Sequence, residues 1–146
     1  MFEIRLPVIV SEGQKETDTK ERDKASVRSL NILIVEDNKD FADLLSNMLT
    51  TIGYCVNAAY NGKDGLMKAK QFNPDVIFCD IGLPGMDGYE FSKTIRSDKG
   101  FKDVKMIALT GYASKHDMKR ALDSGFNTHL AKPVDFATLQ QVLGNI

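Results

Sequence analysis

The side chains in this 146-residue chain that could act together chemically are scattered along the sequence, but each follows a short apolar run. Glu36-Asp37 follows the run Asn31–Val35, and Asp80 closes Asp75–Cys79. Thr110 closes Lys105–Leu109, and Lys132-Pro133 closes Thr128–Ala131. Singly, each is ordinary. An acidic pair suits a helix start, an aspartate suits a turn, and Thr and Lys-Pro are common at strand ends and loops. Brought together they are not ordinary. Carboxylates that close repel one another and partly protonate unless a counter-charge arrives, and Lys132 offsets only one. A hard divalent cation with oxygen ligands fits the remainder, and Mg²⁺, which keeps several waters, needs only one or two carboxylates. A metal beside an ammonium is equipped to receive a phosphoryl group, because both neutralise oxygens that gain charge during transfer. A carboxylate such as Asp80 can then be the nucleophile, giving an aspartyl phosphate.

The elements that must position these groups are legible from periodicity. After the strand at Asn31–Val35, Asn38 is a good N-cap. In the following helix Phe41, Leu44, Leu45, Met48, Leu49 and Ile52 form an apolar stripe, ended by Gly53. Tyr54–Ala58 reads as a second strand, and Asn61–Phe72 as a second helix with Leu66 and Ala69 inward. Asp75–Cys79 is apolar after Asp75, which implies a strand buried on both sheet faces. A turn, Gly82-Leu-Pro-Gly-Met-Asp-Gly88, leads to a helix from Tyr89 to Ser97, and Lys105–Leu109 is the fourth strand. Ser114 and Asp117 form a capping box for a helix ending at Gly125. Thr128–Ala131 is the fifth strand, and Asp135 caps a last helix carrying Phe136, Leu139 and Val142 on one side. Strands alternating with amphipathic helices imply a doubly wound parallel sheet covered on both faces, with right-handed crossovers. Such a sheet places its ligand site beyond the carboxyl ends of its strands, which is where all the chemical side chains fall.

Length and composition bound the rest. The chain suffices for one domain with a proper core. Net charge is −1, so there is no electrostatic reason to expect nucleic acid or an anionic membrane as partner. No apolar run approaches the roughly 20 residues of a membrane-spanning helix, and the start lacks a signal peptide's pattern. Cys55 and Cys79 fit no metal or redox spacing and are expected to be reduced, buried thiols of a cytoplasmic protein. His116 falls on a charged helix surface, and the two histidines are too isolated for a metal site. At the N-terminus Phe2, Ile4 and Leu6 alternate with polar residues as in a strand, stopped by Pro7. Residues 11–29 hold five basic and five acidic side chains and almost nothing apolar, which reads as a flexible linker. No G-x-x-x-x-G-K-[ST] occurs, which excludes a P-loop nucleotide binder.

The ordered set Glu36-Asp37, Asp80 within Asp-Ile-Gly-Leu-Pro-Gly-Met-Asp-Gly, Thr110-Gly111 and Lys132-Pro133 resembles the response-regulator receiver domain, over roughly residues 31–143. The resemblance implies a flavodoxin-like five-stranded parallel sheet of order 2-1-3-4-5 with five helices, a receiver domain spanning 30–146. It implies Asp80 as phosphoacceptor and Mg²⁺ (or Mn²⁺) held by Asp37, Asp80 and the backbone carbonyl of Gly82, with Glu36 acting through a water. Lys132 and Thr110 would contact the phosphoryl group, and Thr110 would move toward it. Where the family often carries an inward-turning Tyr or Phe, this chain has His129, a smaller switch residue. The Lys132-Pro133 bond is often cis in the family, which sequence leaves open.

Phe-Glu-Ile-Arg-Leu-Pro-Val at 2–8 resembles the closing strand of a histidine-kinase ATP-binding domain. With the linker at 11–29, that implies the C-terminal receiver of a hybrid histidine kinase. The expected partners are a histidine kinase dimerisation domain or a histidine phosphotransfer protein. A stand-alone single-domain regulator is the alternative. An aspartate-nucleophile phosphohydrolase, which typically carries a second acid two residues after the nucleophile, fits less well, because that position is Gly82.

Overall fold

The computed structural model describes residues 29–111 and 115–144. The N-terminal strand-like run, nearly all of the linker and Ser114 of the capping box lie outside the described residues. Strands β1 (Asn31–Val35), β2 (Cys55–Ala59), β3 (Val76–Asp80), β4 (Lys105–Thr110) and β5 (Thr128–Ala131) alternate with helices α1 (Lys39–Ile52), α2 (Gly62–Phe72), α3 (Gly88–Arg96), α4 (Lys115–Asp123) and α5 (Phe136–Gly144). One 3₁₀ turn, Lys99–Phe101, precedes β4 and was not expected. The strands form a single parallel sheet in the order β2-β1-β3-β4-β5. Chain order reverses between β1 and β3, the switch point at which open α/β sheets bind their ligands.

Local chemistry sets the helix ends. Asn38 Oδ1 accepts the Phe41 N–H at 3.1 Å, starting α1. Gly53, at φ 117°, ends it in the left-handed region that glycine adopts freely. Asn61 and Asp87 cap α2 and α3 in the same way as Asn38. One core lies on each sheet face. On one side Leu33, Ile77, Met106 and Phe91 are buried, and on the other Ile32, Phe78, Ile107 and Leu139. Each such side chain contributes roughly 1.5–3 kcal/mol of burial. Val76 to Cys79 are fully buried, as expected for a strand covered on both faces.

Three expectations are corrected. Leu44 is 53% exposed, and Ala42 takes its place in the α1 interface. A stripe from Phe41 through Leu44 to Ile52 spans more of the helix circumference than β2 and β1 can cover. Phe136 is 40% exposed, while Leu139 and Leu143 hold α5 to the sheet. Cys55 is exposed because it opens the edge strand β2, whereas Cys79, on the central strand, is buried.

Candidate functional site

The sheet register assembles the site. Val35 is level with Cys79, so Glu36 emerges beside Asp80. Asp80 is level with Leu109, and Thr110 with Ala131, so Thr110 and Lys132 follow one step further on. Oxygens of Glu36, Asp37 and Asp80 all lie within 4.8 Å of one another. Glu36 is fully buried and Asp80 nearly so, whereas Asp37 is exposed.

Each acid is held differently. Glu36 Oε2 accepts the Asn38 N–H at 3.1 Å. Its Oε1 is ion-paired to Lys132 Nζ at 2.6 Å and has no further hydrogen-bond partner. Burial pushes the Glu36 carboxyl above the ordinary carboxylate range, against the hydrogen bonds from Lys132 and the Asn38 backbone, which pull it down. The Asp80 charge adds to the upward push. Asp80 Oδ1 accepts the Gly82 N–H at 3.0 Å, and Asp80 Oδ2 faces Lys132 Nζ at 3.6 Å. Lys132 thus stands between two carboxylates, with the ring of Phe41 a further neighbour at 4.8 Å from Nζ. The Lys132-Pro133 peptide is cis.

Thr110 is buried, and its hydroxyl donates to Leu130 O at a long 3.4 Å, leaving that contact weak. His129 is half-buried and level with Ala108, two residues back from Thr110 on the neighbouring strand, so it faces the same side of the sheet as Thr110. The loop after Asp80 is clipped at Gly88, whose N–H donates to Ile81 O at 3.1 Å. A Cβ there would stand 2.5 Å from Ile81 Cα and 2.6 Å from the Asp80 carbonyl oxygen, so only glycine fits.

Three clustered carboxylates, two of them buried, with one close ammonium among the described residues fit a hard divalent cation on the chemistry of their donors. Sequence reasoning placed Phe41 only in the apolar stripe. Its position near Lys132 carries no signal in spacing, because it depends on how the start of α1 meets the chain just past β5.

Residues 32–144 match the family described as the response regulator receiver domain. Hybrid signal transduction histidine kinase L of Dictyostelium discoideum is 35% identical over 118 residues, 77% of this chain but only 7% of that protein. The receiver domain of sensor histidine kinase PA1611 from Pseudomonas aeruginosa, solved with magnesium coordinated in its active site cleft, superimposes with a TM-score of 0.74 at 35% identity, covering 81% of this chain and 97% of that one. The receiver domain of Ssk1 from Saccharomyces cerevisiae, solved with the histidine phosphotransfer signaling protein Ypd1, gives a TM-score of 0.73 at 31% identity over 78% of this chain and 86% of that one. Among the described residues no helix is long and apolar enough to cross a membrane.

Proposed function

The chain belongs to the response regulator receiver domain family of two-component signalling, and from that premise we propose that Asp80 is its phosphoacceptor. The observation that carries this reading is the position of Asp80 Oδ2: it faces Lys132 Nζ at 3.6 Å, while Oδ1 is occupied by the Gly82 N–H. Oδ2 is the oxygen left to attack. It forms a bond to the phosphorus of a phosphohistidine as the P–N bond breaks in line, and the imidazole departs with the electron pair. Lys132 is placed to balance charge on a phosphoryl oxygen, and the Thr110 hydroxyl, weakly held by Leu130 O, is free to turn toward the new group. Asp37, Asp80 and the Gly82 carbonyl would hold Mg²⁺ (or Mn²⁺), with Glu36 acting through a water. When bound, the metal supplies positive charge where phosphoryl oxygens gain negative charge.

The acyl phosphate then hydrolyses or passes to another histidine. The partners this chemistry calls for are a histidine kinase dimerisation domain or a histidine phosphotransfer protein, as in the Ypd1–Ssk1 pair. The added charge of about −2 biases the surface of α4, β5 and α5 through Thr110 and His129. Unchanged amide resonances over the described residues 115–131 on adding a phosphate mimic would sink that switch.

The test of the site is incubation with Mg²⁺ and acetyl phosphate, read by intact mass. One phosphoryl group is added, the addition needs Mg²⁺, and Asp80→Ala abolishes it. Equal labelling of Asp80→Ala would overturn the assignment. For the strand-like run at 1–10 and the linker at 11–29, the reading is the end of a preceding kinase ATP-binding domain followed by a connector in a hybrid histidine kinase. It rests on the resemblance of residues 2–8. A source genome with no in-frame kinase coding sequence upstream of Met1 would leave a stand-alone regulator instead.

A further inference from the structure

Lys132 has a difficult task. Its ammonium ends a flexible four-carbon stem carrying about 2 kcal/mol of rotamer entropy. It has to stay near Asp80, yet the nearest carboxylate is that of Glu36, at 2.6 Å against 3.6 Å for Asp80 Oδ2. A further carboxylate could pin the lysine, but it would add negative charge where an anionic phosphoryl group arrives. An aromatic ring avoids that conflict. Its quadrupole attracts a cation within about 6 Å of the centroid while carrying no net charge.

Phe41 supplies such a ring, 4.8 Å from Lys132 Nζ. It is half-buried and packs against the core on the α1 and α5 side, so the ring is a fixed platform. Its backbone is fixed as well. Asn38 Oδ1 accepts the Phe41 N–H at 3.1 Å, and the Asn38 N–H donates to Glu36 Oε2 at 3.1 Å. One capping residue therefore sets both the carboxylate and the ring that flank the lysine. We propose that Phe41 is a positioning residue that holds the Lys132 ammonium at Asp80 by a cation–π contact. This rests on the reading of Lys132 as the phosphoryl-contacting residue.

The first measurement needs neither metal nor phosphate. In metal-free wild-type protein the ε-methylene protons of Lys132 should show an upfield ring-current shift and cross-relaxation with the Phe41 ring. Phe41→Leu removes that shift and Phe41→Tyr keeps it. Absence of both signatures in the wild type would overturn the proposal, whether or not any variant folds. The second measurement is the rate of phosphorylation by acetyl phosphate at saturating Mg²⁺. Phe41→Leu, which keeps an apolar side chain, slows the maximal rate roughly three- to tenfold, the span expected from the strength of one cation–π contact. Mg²⁺ affinity stays at the wild-type value, and Phe41→Tyr restores the rate. A slow Phe41→Tyr, or a Phe41→Leu whose loss follows weakened Mg²⁺ binding, would assign Phe41 to packing alone. Lys132→Ala separates the two readings. If it phosphorylates at the wild-type rate, the role of Lys132 falls and this proposal with it. If it is slow while Phe41→Leu is not, only Phe41 loses its role. In the Lys132→Ala background Phe41→Leu has no further effect, and an additive loss would place the action of Phe41 elsewhere.

Discussion

The two ends of the sheet handle charged groups in opposite ways. At the amino ends of β4 and β5 the Arg96 guanidinium donates to Gly125 O, Phe101 O, Lys102 O and Asn127 Oδ1, at 2.8–3.3 Å. Asn127 Oδ1 also accepts the Met106 N–H at 2.8 Å. Burial lowers the tendency of Arg96 to hold its proton, but a guanidinium stays charged at any pH of interest. Here a cation is engaged with four carbonyl dipoles. At the carboxyl ends, Glu36, Asp37 and Asp80 crowd together with one close ammonium among the described residues, and Glu36 Oε1 has no partner beyond it. The contrast separates two uses of polarity. Satisfied groups staple loops together, and incompletely paired ones keep binding capacity in reserve for a ligand.

The largest expected effect breaks the satisfied end. Arg96→Ala leaves the part-buried carbonyls of Gly125 and Phe101 without this donor and should cost about 2 kcal/mol in urea unfolding. Arg96→Lys recovers little of it, because an ammonium lacks the planar fork. The folded fraction of either variant phosphorylates normally. A loss under about 1 kcal/mol would mean that this end is not the staple described. Next comes the incomplete end. Mg²⁺ at ten times its dissociation constant should stabilise the protein by about 1.4 kcal/mol, read as a rise in thermal midpoint. Asp37→Asn removes that rise without destabilising the metal-free protein, because one of the mutually repelling charges is gone. A metal-free Asp37→Asn clearly weaker than wild type would contradict the contrast.

The smallest effect separates pairing from position. Asp135 is on the same side as the site, yet its Oδ1 accepts the Thr138 N–H at 2.7 Å as the cap of α5. That bond holds its carboxyl below the ordinary value of 3.8. The cap's contribution is therefore fully present above pH 3.8 and is lost as pH falls through the lowered value. The gap in thermal midpoint between wild type and Asp135→Ala should be modest, constant from neutral pH down to about 4, and closing below that. A gap that grew in acid would show that the carboxylate is not the stabilising form.

Much of this was legible in the sequence, for a physical reason. The inner strand β1 is buried on both faces, so Asn31–Val35 could be read to its end residues, and strand ends are where this architecture brings its chemistry together. Less legible was whatever depends on how wide a neighbour is. Leu44 belongs to the α1 stripe by spacing, and only the docked helix reveals it as exposed. The exposure of Cys55 follows from its place on an edge strand, which local pattern does not encode. The 3₁₀ turn at Lys99–Phe101 is too short to have a period, although Asp98, whose Oδ1 accepts the Gly100 N–H at 2.9 Å, was a visible cap. Phe41 satisfied the stripe so well that a second role left no trace.

The contact at Gly88 also has a meaning for variation. The loop's exit point rests against the backbone of Ile81 and the carbonyl of Asp80, with no room for even a methyl group. Between those two points Leu83 is buried and Gly85 sits at φ 76°, where a side chain would be strained, whereas Pro84 lies open to solvent. Lineages, or an engineer, can therefore vary the exposed position 84 more freely than its neighbours, while the buried, left-handed and closely packed positions around it stay fixed.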